Sequence, residues 1–134
     1  MKNYKGYISS RDCLGTFYPH RVQNIVIRDF CLKKKFNYEL SAAEYSIKNS
    51  YLVLSEMLKQ MKSIDGIIAF SIFQLPLDKK KRSNILKKII KKNKNIFFVL
   101  ERFEVSNNKD IMRLNEIWSI KFSTLNSTIE KKLK

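Results

Sequence analysis

Histidine occurs once in this sequence, at His20, and cysteine twice, at Cys13 and Cys31. One histidine cannot build a histidine-based metal site, and there is no Cys-x-x-Cys pair for a zinc ribbon. No metal or cofactor motif stands out. Glycine and proline are also scarce, at 3 and 2 residues, so each is expected to mark a particular turn or boundary. No apolar run approaches the roughly 18 residues of a membrane span. The start, Met1-Lys2-Asn3-Tyr4-Lys5, runs into a strand-like segment instead of an apolar leader. The expectation is a cytoplasmic protein with free thiols. Acidic residues are few as well: 12 against 27 basic ones, a formal charge of +15.

What is present is an ordinary globular composition. The 134 residues are 44% hydrophobic and 29% charged, which fits one domain with one core. Four apolar segments read as buried strands, at 4–9, 37–42, 66–73 and 96–101. The third and fourth are near-continuous apolar runs, the pattern of strands covered on both faces. Between them lie segments with helical spacing. At 19–34 the stripe is Val22, Ile25, Val26 and Phe30; at 50–61 it is Tyr51, Leu54, Leu58 and Met61. At 78–92 it is Ile85, Leu86, Ile89 and Ile90; at 108–120 it is Ile111, Leu114, Ile117 and Trp118. Asp78 and Asn107 or Asn108 suit helix N-caps, and Pro19 suits a first helical turn. The alternation βαβαβαβα predicts a small three-layer α/β sandwich. Its four-stranded, mostly parallel sheet would carry helices on both faces, resolvase-like or flavodoxin-like in type. Residues 1–120 would form the domain and 121–134 a basic tail that frays or meets a partner.

In an open parallel sheet, ligands bind beyond the carboxyl ends of the strands. Those ends deliver Ser9, Ser10 and Arg11, then Ser41, Glu44 and Tyr45, then Ser71 and Gln74, and finally Glu101 and Arg102. The first helix begins with His20, Gln23 and Asn24, where free N–H groups favour an anion. Arg11 and Arg28 are candidates to hold that anion. Ser9, Ser10, Gln23, Asn24, Ser41, Ser71 and Gln74 are candidates to bind hydroxyls. Glu44 with Tyr45, and His20, are the acid–base candidates. Arg28 could equally pair with an acid on the surface, and Glu44 could equally cap the following helix. Cys13, in the loop before the first helix, could be a nucleophile, though no base adjoins it. Cys31 reads as core.

The charge is less specific than its size suggests. Lys79, Lys80, Lys81 and Arg82, with Lys87, Lys88, Lys91 and Lys92, flank the apolar stripe of the third helix and make one solvated face. Aromatics do not interleave with it, and no helix-turn-helix follows. Nucleic acid is therefore disfavoured as the main partner.

Two families share features with this chain. Gly6-Tyr7-Ile8-Ser9-Ser10 and Asp65-Gly66-Ile67-Ile68-Ala69-Phe70, in this order of elements, resemble the catalytic domain of serine recombinases, or resolvases, over roughly residues 4–101. Those enzymes carry Tyr-x-Arg-x-Ser on the first strand. Here Tyr7 is followed by Ser9 at the arginine position and Arg11 at the nucleophile position. After the third strand they carry Asp-Arg-x-x-Arg, where this chain has Phe73-Gln74-Leu75-Pro76-Leu77. The phosphate-neutralising arginines are missing at these positions, and neither strand-transfer chemistry nor a DNA-binding tail is expected.

The sequence is also similar to the sporadic carbohydrate cluster proteins, short bacterial proteins of surface-polysaccharide gene clusters. The similarity rests on Gly6-Tyr7-Ile8-Ser9-Ser10-Arg11, Val22-Gln23-Asn24-x-Val26-Ile27-Arg28-Asp29-Phe30-Cys31, Leu40-Ser41-Ala42-x-Glu44-Tyr45 and the stretch from Asp65 through Pro76. It implies a cytoplasmic role in surface-carbohydrate biosynthesis. An anionic sugar derivative, either a sugar phosphate or a nucleotide sugar, would be bound or converted without metal or cofactor, by an isomerase, epimerase or lyase step. The competing expectation is a non-catalytic resolvase-like module. It would pair as a homodimer through its last helix and regulate a protein partner or nucleic acid.

Overall fold

The structure is a computed structural model that describes residues 1–44 and 51–133, with side chains through residue 125. Five strands form one sheet: β1 (Asn3–Ser9), β2 (Asn37–Glu44), β3 (Gly66–Ala69), β4 (Asn95–Phe98) and β5 (Phe103–Val105). Four α-helices accompany them: α1 (His20–Lys34), α2 (Leu52–Lys59), α3 (Lys79–Lys91) and α4 (Asn108–Leu133). The strand order is β2-β1-β3-β4-β5. The first four strands are parallel, and β5 runs antiparallel to β4. The order reverses at β1, so β1 and β3 diverge at their carboxyl ends and open the crevice of a doubly wound fold.

The α/β sandwich expected from sequence is therefore present, with one strand more. β5 was missed because three residues are too few to show a period. It is reached through a tight turn in which Arg102 takes a left-handed φ of 53°. The third apolar run also ends as a strand at Ala69. Ser71 then turns the chain into a 3-10 turn at Ile72–Gln74, its hydroxyl accepting from the Phe73 N–H at 3.1 Å.

Alternation along the strands sorts the core into two layers. Tyr7, Ile67, Ala69, Ile96 and Phe98 face α2, α3 and α4, where they meet Leu54, Leu58, Leu86, Ile89, Ile111, Leu114 and Trp118. Tyr4, Ile8, Ile68 and Phe70 face α1 and meet Ile27 and Cys31. Continuous apolar runs result because both faces are covered.

Helix α1 is rotated from the expected stripe. Its buried line is Gln23, Ile27 and Cys31, while Val22 and Ile25 are 41% and 59% exposed. The rotation follows from Gln23, a polar side chain that the periodicity rule assigns to solvent but whose partners lie inside. Helix α3 departs in a similar way, since Arg82 is buried with Leu86 and Ile89 and does not join the lysine face. The caps fall where expected. Asp78 accepts from the Lys80 N–H at 3.0 Å, and Asn107 accepts from the Asp110 N–H at 3.0 Å. Helix α4 continues unbroken through residues 121–133, about 39 Å in all at 1.5 Å per residue. Among the described residues, no helix is long and apolar enough to cross a membrane.

Candidate functional site

The polar residues delivered to the carboxyl ends of the strands do meet, but mostly one another. Glu44, at the end of β2, is 2% exposed. Its Oε2 accepts from the Tyr7 hydroxyl and, at 3.1 Å, from Arg11 Nη2, and its Oε1 accepts from the Val53 N–H of α2 at 3.1 Å. Arg11 also donates to the Tyr7 hydroxyl at 2.8 Å and lies 3.9 Å from the centre of the Tyr51 ring. One carboxylate, one guanidinium and two tyrosines thus close over the β1–β2 edge. Burial raises the Tyr7 phenol, Arg11 opposes that rise, and Glu44 adds to it. The phenol stays protonated and serves as a donor.

A second cluster centres on Gln23, which is fully buried. Its Nε2 donates to the carbonyls of Ser9 and Tyr18 at 2.7 and 2.8 Å. Its Oε1 accepts from the Ser9 N–H at 3.1 Å and from Gln74 Nε2 at 2.9 Å. One amide therefore ties together the end of β1, the loop before α1 and the turn after β3. Every polar group of Gln23 is satisfied, which is what its burial demands. Nearby, the Ser10 hydroxyl and His20 Nε2 lie 2.8 Å apart, and the Ser9 hydroxyl accepts from the Arg11 N–H at 3.1 Å.

The third cluster holds Glu101, which the strand pattern brings to this edge without assigning it a role. Glu101 accepts from the Ser71 hydroxyl at 2.7 Å and from the Ile72 N–H at 2.8 Å. It sits in the β4–β5 turn, and its position after an apolar strand was the one signal that could have marked it. Burial raises its carboxyl above the ordinary range, and those two hydrogen bonds only partly oppose the rise. The consequence for stability has a definite sign. A carboxyl raised in the fold contributes stability that is complete below its ordinary value near 4.5 and is lost as pH climbs through the raised value. Wild type should therefore lose stability relative to Glu101→Gln as pH rises above 4.5, as read by urea midpoints. A constant difference across that window would remove the titration from Glu101.

The remaining candidates lie elsewhere. Asn24, Arg28 and Ser41 line a cleft of about 840 Å³ between α1 and the edge strand β2, with Tyr38 between them. The Tyr38 hydroxyl donates to Asn24 Oδ1 at 3.3 Å and also meets the Ser41 hydroxyl. Arg28 sits 5.8 Å over the Tyr38 ring. It shares this cleft with Asn24 and Ser41, whereas Arg11 is committed to Glu44 and Tyr7. Tyr45 falls outside the described residues. Cys13 is 6% exposed, and burial pushes its thiol up to about 11, so little thiolate is present at neutral pH.

No protein-family model matches the chain, and no curated protein does. Solved structures do match. A resolvase-family site-specific recombinase from Streptococcus pneumoniae superimposes with a TM-score of 0.71 at 13% identity, covering 100% of both chains. The N-terminal catalytic domain of TP901-1 integrase gives 0.64 at 15% identity, covering 97% of this chain and 98% of that one. At such identities the likeness is one of fold, and the fold is resolvase-like.

These neighbours correct the sequence reading. They overturn the role in surface-carbohydrate biosynthesis, the anionic sugar partner and the setting aside of nucleic acid. The carbohydrate-cluster resemblance finds no support in any matching family model. The physical reason is visible at the strand ends. Serines, glutamines and a carboxylate there looked like a lining for sugar hydroxyls, yet Ser9, Gln23, Glu44 and Ser71 are at most 2% exposed and are engaged inside the protein, Ser9 with Gln23, Glu44 with Arg11 and Tyr7, and Ser71 with Glu101.

Proposed function

We propose that this chain is a non-catalytic, resolvase-like regulatory module that binds DNA through its phosphate backbone. The observation that carries the reading is the ion pair of Arg11 with Glu44. Arg11 occupies the position where the first-strand motif of a recombinase places its nucleophilic serine. Here that position holds a cation closed against Glu44, Tyr7 and Tyr51. The stretch after β3 offers Gln74 and Leu75, with no arginine to meet a scissile phosphate.

The DNA-facing element would be α3. Lys79, Lys80, Lys81, Lys87, Lys88 and Lys91 are all exposed, and none is ion-paired among the described residues. Such a face gives sequence-independent affinity that depends on salt. The two buried thiols suit a reducing compartment, so we place the module in the cytoplasm.

Fluorescence anisotropy with a labelled duplex provides the test. The logarithm of the affinity should fall linearly with the logarithm of salt concentration. Changing Lys87, Lys88 and Lys91 together to glutamine should flatten that slope by about 3, roughly 0.9 per lost phosphate contact. Supercoiled plasmid should stay intact in the same preparation. Affinity without salt dependence, or a nicked plasmid, would overturn the reading.

A further inference from the structure

Arg82 is the least ordinary charge in the molecule. It lies in the first turn of α3, directly after Lys79, Lys80 and Lys81, yet it is 4% exposed. Its Nη1 donates to the carbonyls of Pro76 and Leu77 at 3.1 and 3.0 Å, and its Nε donates to Asn115 Oδ1 at 2.9 Å. The guanidinium lies 4.3 Å from the centre of the Trp118 ring. Asn115 is held in turn, its Nδ2 donating to the Ser83 hydroxyl at 3.1 Å. All of these partners are neutral. Among the described residues, no carboxylate lies within ion-pair distance of Arg82, and Nη2 makes no hydrogen bond.

A buried cation normally has a counter-charge, because neutral dipoles replace only part of its hydration. Burial depresses Arg82 to about 10, the Asp78 carboxylate beyond ion-pair distance opposes the shift, and the group stays charged at neutral pH. The guanidinium lines a cleft of about 360 Å³ with Trp118, Leu77, Phe122, Ser119 and Ser123. Leu77 is 65% exposed and Phe122 49% exposed. The cleft therefore combines a buried cation that makes no ion pair, an aromatic wall and two exposed apolar side chains.

We infer that this cleft between α3 and α4 is a docking site for an acidic peptide segment of a protein partner, with Arg82 taking a carboxylate and Leu77, Trp118 and Phe122 taking an adjoining apolar side chain. The charge argument selects this occupant. A chain of +15 repels a second copy of itself and attracts acidic segments. The apolar wall selects against a bare phosphate, which would have to shed its hydration against Trp118, Leu77 and Phe122. A planar guanidinium edge suits a carboxylate. The inference does not depend on the DNA reading, since the lysines that test that reading, Lys87, Lys88 and Lys91, do not line this cleft.

Trp118 is the one tryptophan in the chain, so its emission reports on the cleft directly. The probe is the tetrapeptide acetyl-Glu-Leu-Leu-Glu-amide, with acetyl-Gln-Leu-Leu-Gln-amide as its uncharged counterpart. Titration of the full chain with the acidic peptide should give a saturable change in emission. The uncharged peptide should bind about tenfold more weakly or worse, the loss expected for a charge-assisted hydrogen bond.

Ser119→Glu keeps the fold testable, because Ser119 is exposed. It should supply a carboxylate from within and abolish the peptide response, with a melting temperature no lower than wild type. Four results would overturn the inference. These are equal response to both peptides, response to inorganic phosphate or duplex DNA but not to peptide, emission that shifts with protein concentration alone, and an unchanged response in a folded Ser119→Glu variant. Loss of DNA binding with peptide binding intact would count against the function proposed above and leave this site standing.

Discussion

Replacing Glu44 with alanine is expected to cost about 3 kcal/mol of folding stability, the range for breaking a buried ion pair by removing one partner. Three groups lose their acceptor together: Arg11 Nη2, the Tyr7 hydroxyl and the Val53 N–H. The Arg11 side chain is only 14% exposed, so water replaces the carboxylate poorly. The loss should be shared rather than local. Tyr7→Phe should cost about 1 kcal/mol, the net worth of one hydrogen bond. Glu44→Gln with Arg11→Met should recover part of what Glu44→Ala loses, because no unpaired cation is left behind. Urea denaturation with linear extrapolation measures all three. A Glu44→Ala protein within about 1 kcal/mol of wild type would mean that Arg11 relaxes freely into solvent. The Arg11–Glu44 lock would then fail as the basis for a non-catalytic module.

Gly66→Ala should cost as much or more, about 3 kcal/mol, by overpacking. Gly66 sits between two partners in the sheet register, Tyr4 on β1 and Asn95 on β4. Above it the Tyr4 hydroxyl donates to Asn95 Oδ1 at 3.1 Å. A methyl group at Gly66 would stand 2.7 Å from Tyr4 Cε1 and would overlap both the carbonyl and the side-chain oxygen of Asn95. A carbonyl within a paired strand cannot step aside without breaking its ladder. Tyr4 is equally fixed, its ring 4.3 Å from Phe36 and 5.6 Å from Phe97, centre to centre. Gly15→Ala is the useful contrast. Gly15 has a φ of 94° but open space around it, so only backbone strain applies and about 1 kcal/mol should be lost. Thermal and urea unfolding should rank Gly66→Ala well below Gly15→Ala. The reverse order would show that β1, β3 and β4 can part to admit a methyl group.

These two sites differ in how legible they were. The glycine before Ile67 marks the start of an apolar run, and Asp65-Gly66 reads locally as a turn into a strand. Nothing local says that Tyr4 and Asn95 meet above it. Ser9, Glu44 and Glu101 gather at the carboxyl edge because the parallel strands discharge there, whereas Ser41 lies within β2, which runs on to Glu44. Their chemistry was misjudged because side-chain type does not reveal pairing. Gln23 looked like a ligand-binding residue at a helix start and is a fully satisfied buried tie. Arg82 looked like one more member of a basic run and is buried against Trp118.

The sequence by itself determined the alternation of strands and helices, the double-sided burial of β3 and β4, and the cap at Asp78. Each of these is written within a few neighbouring residues, as a period, a cap or an apolar run. Only the tertiary structure decided that Arg11 closes on Glu44, that Gln23 meets Gln74 and that Arg82 lies against Trp118 with no ion pair. Those partners are 33, 51 and 36 positions apart in the chain. No local pattern encodes such distances; the crossovers of the sheet and the packing of α3 on α4 bring them together. The same packing separates the exposed lysines of α3 from one buried arginine beside an aromatic cleft.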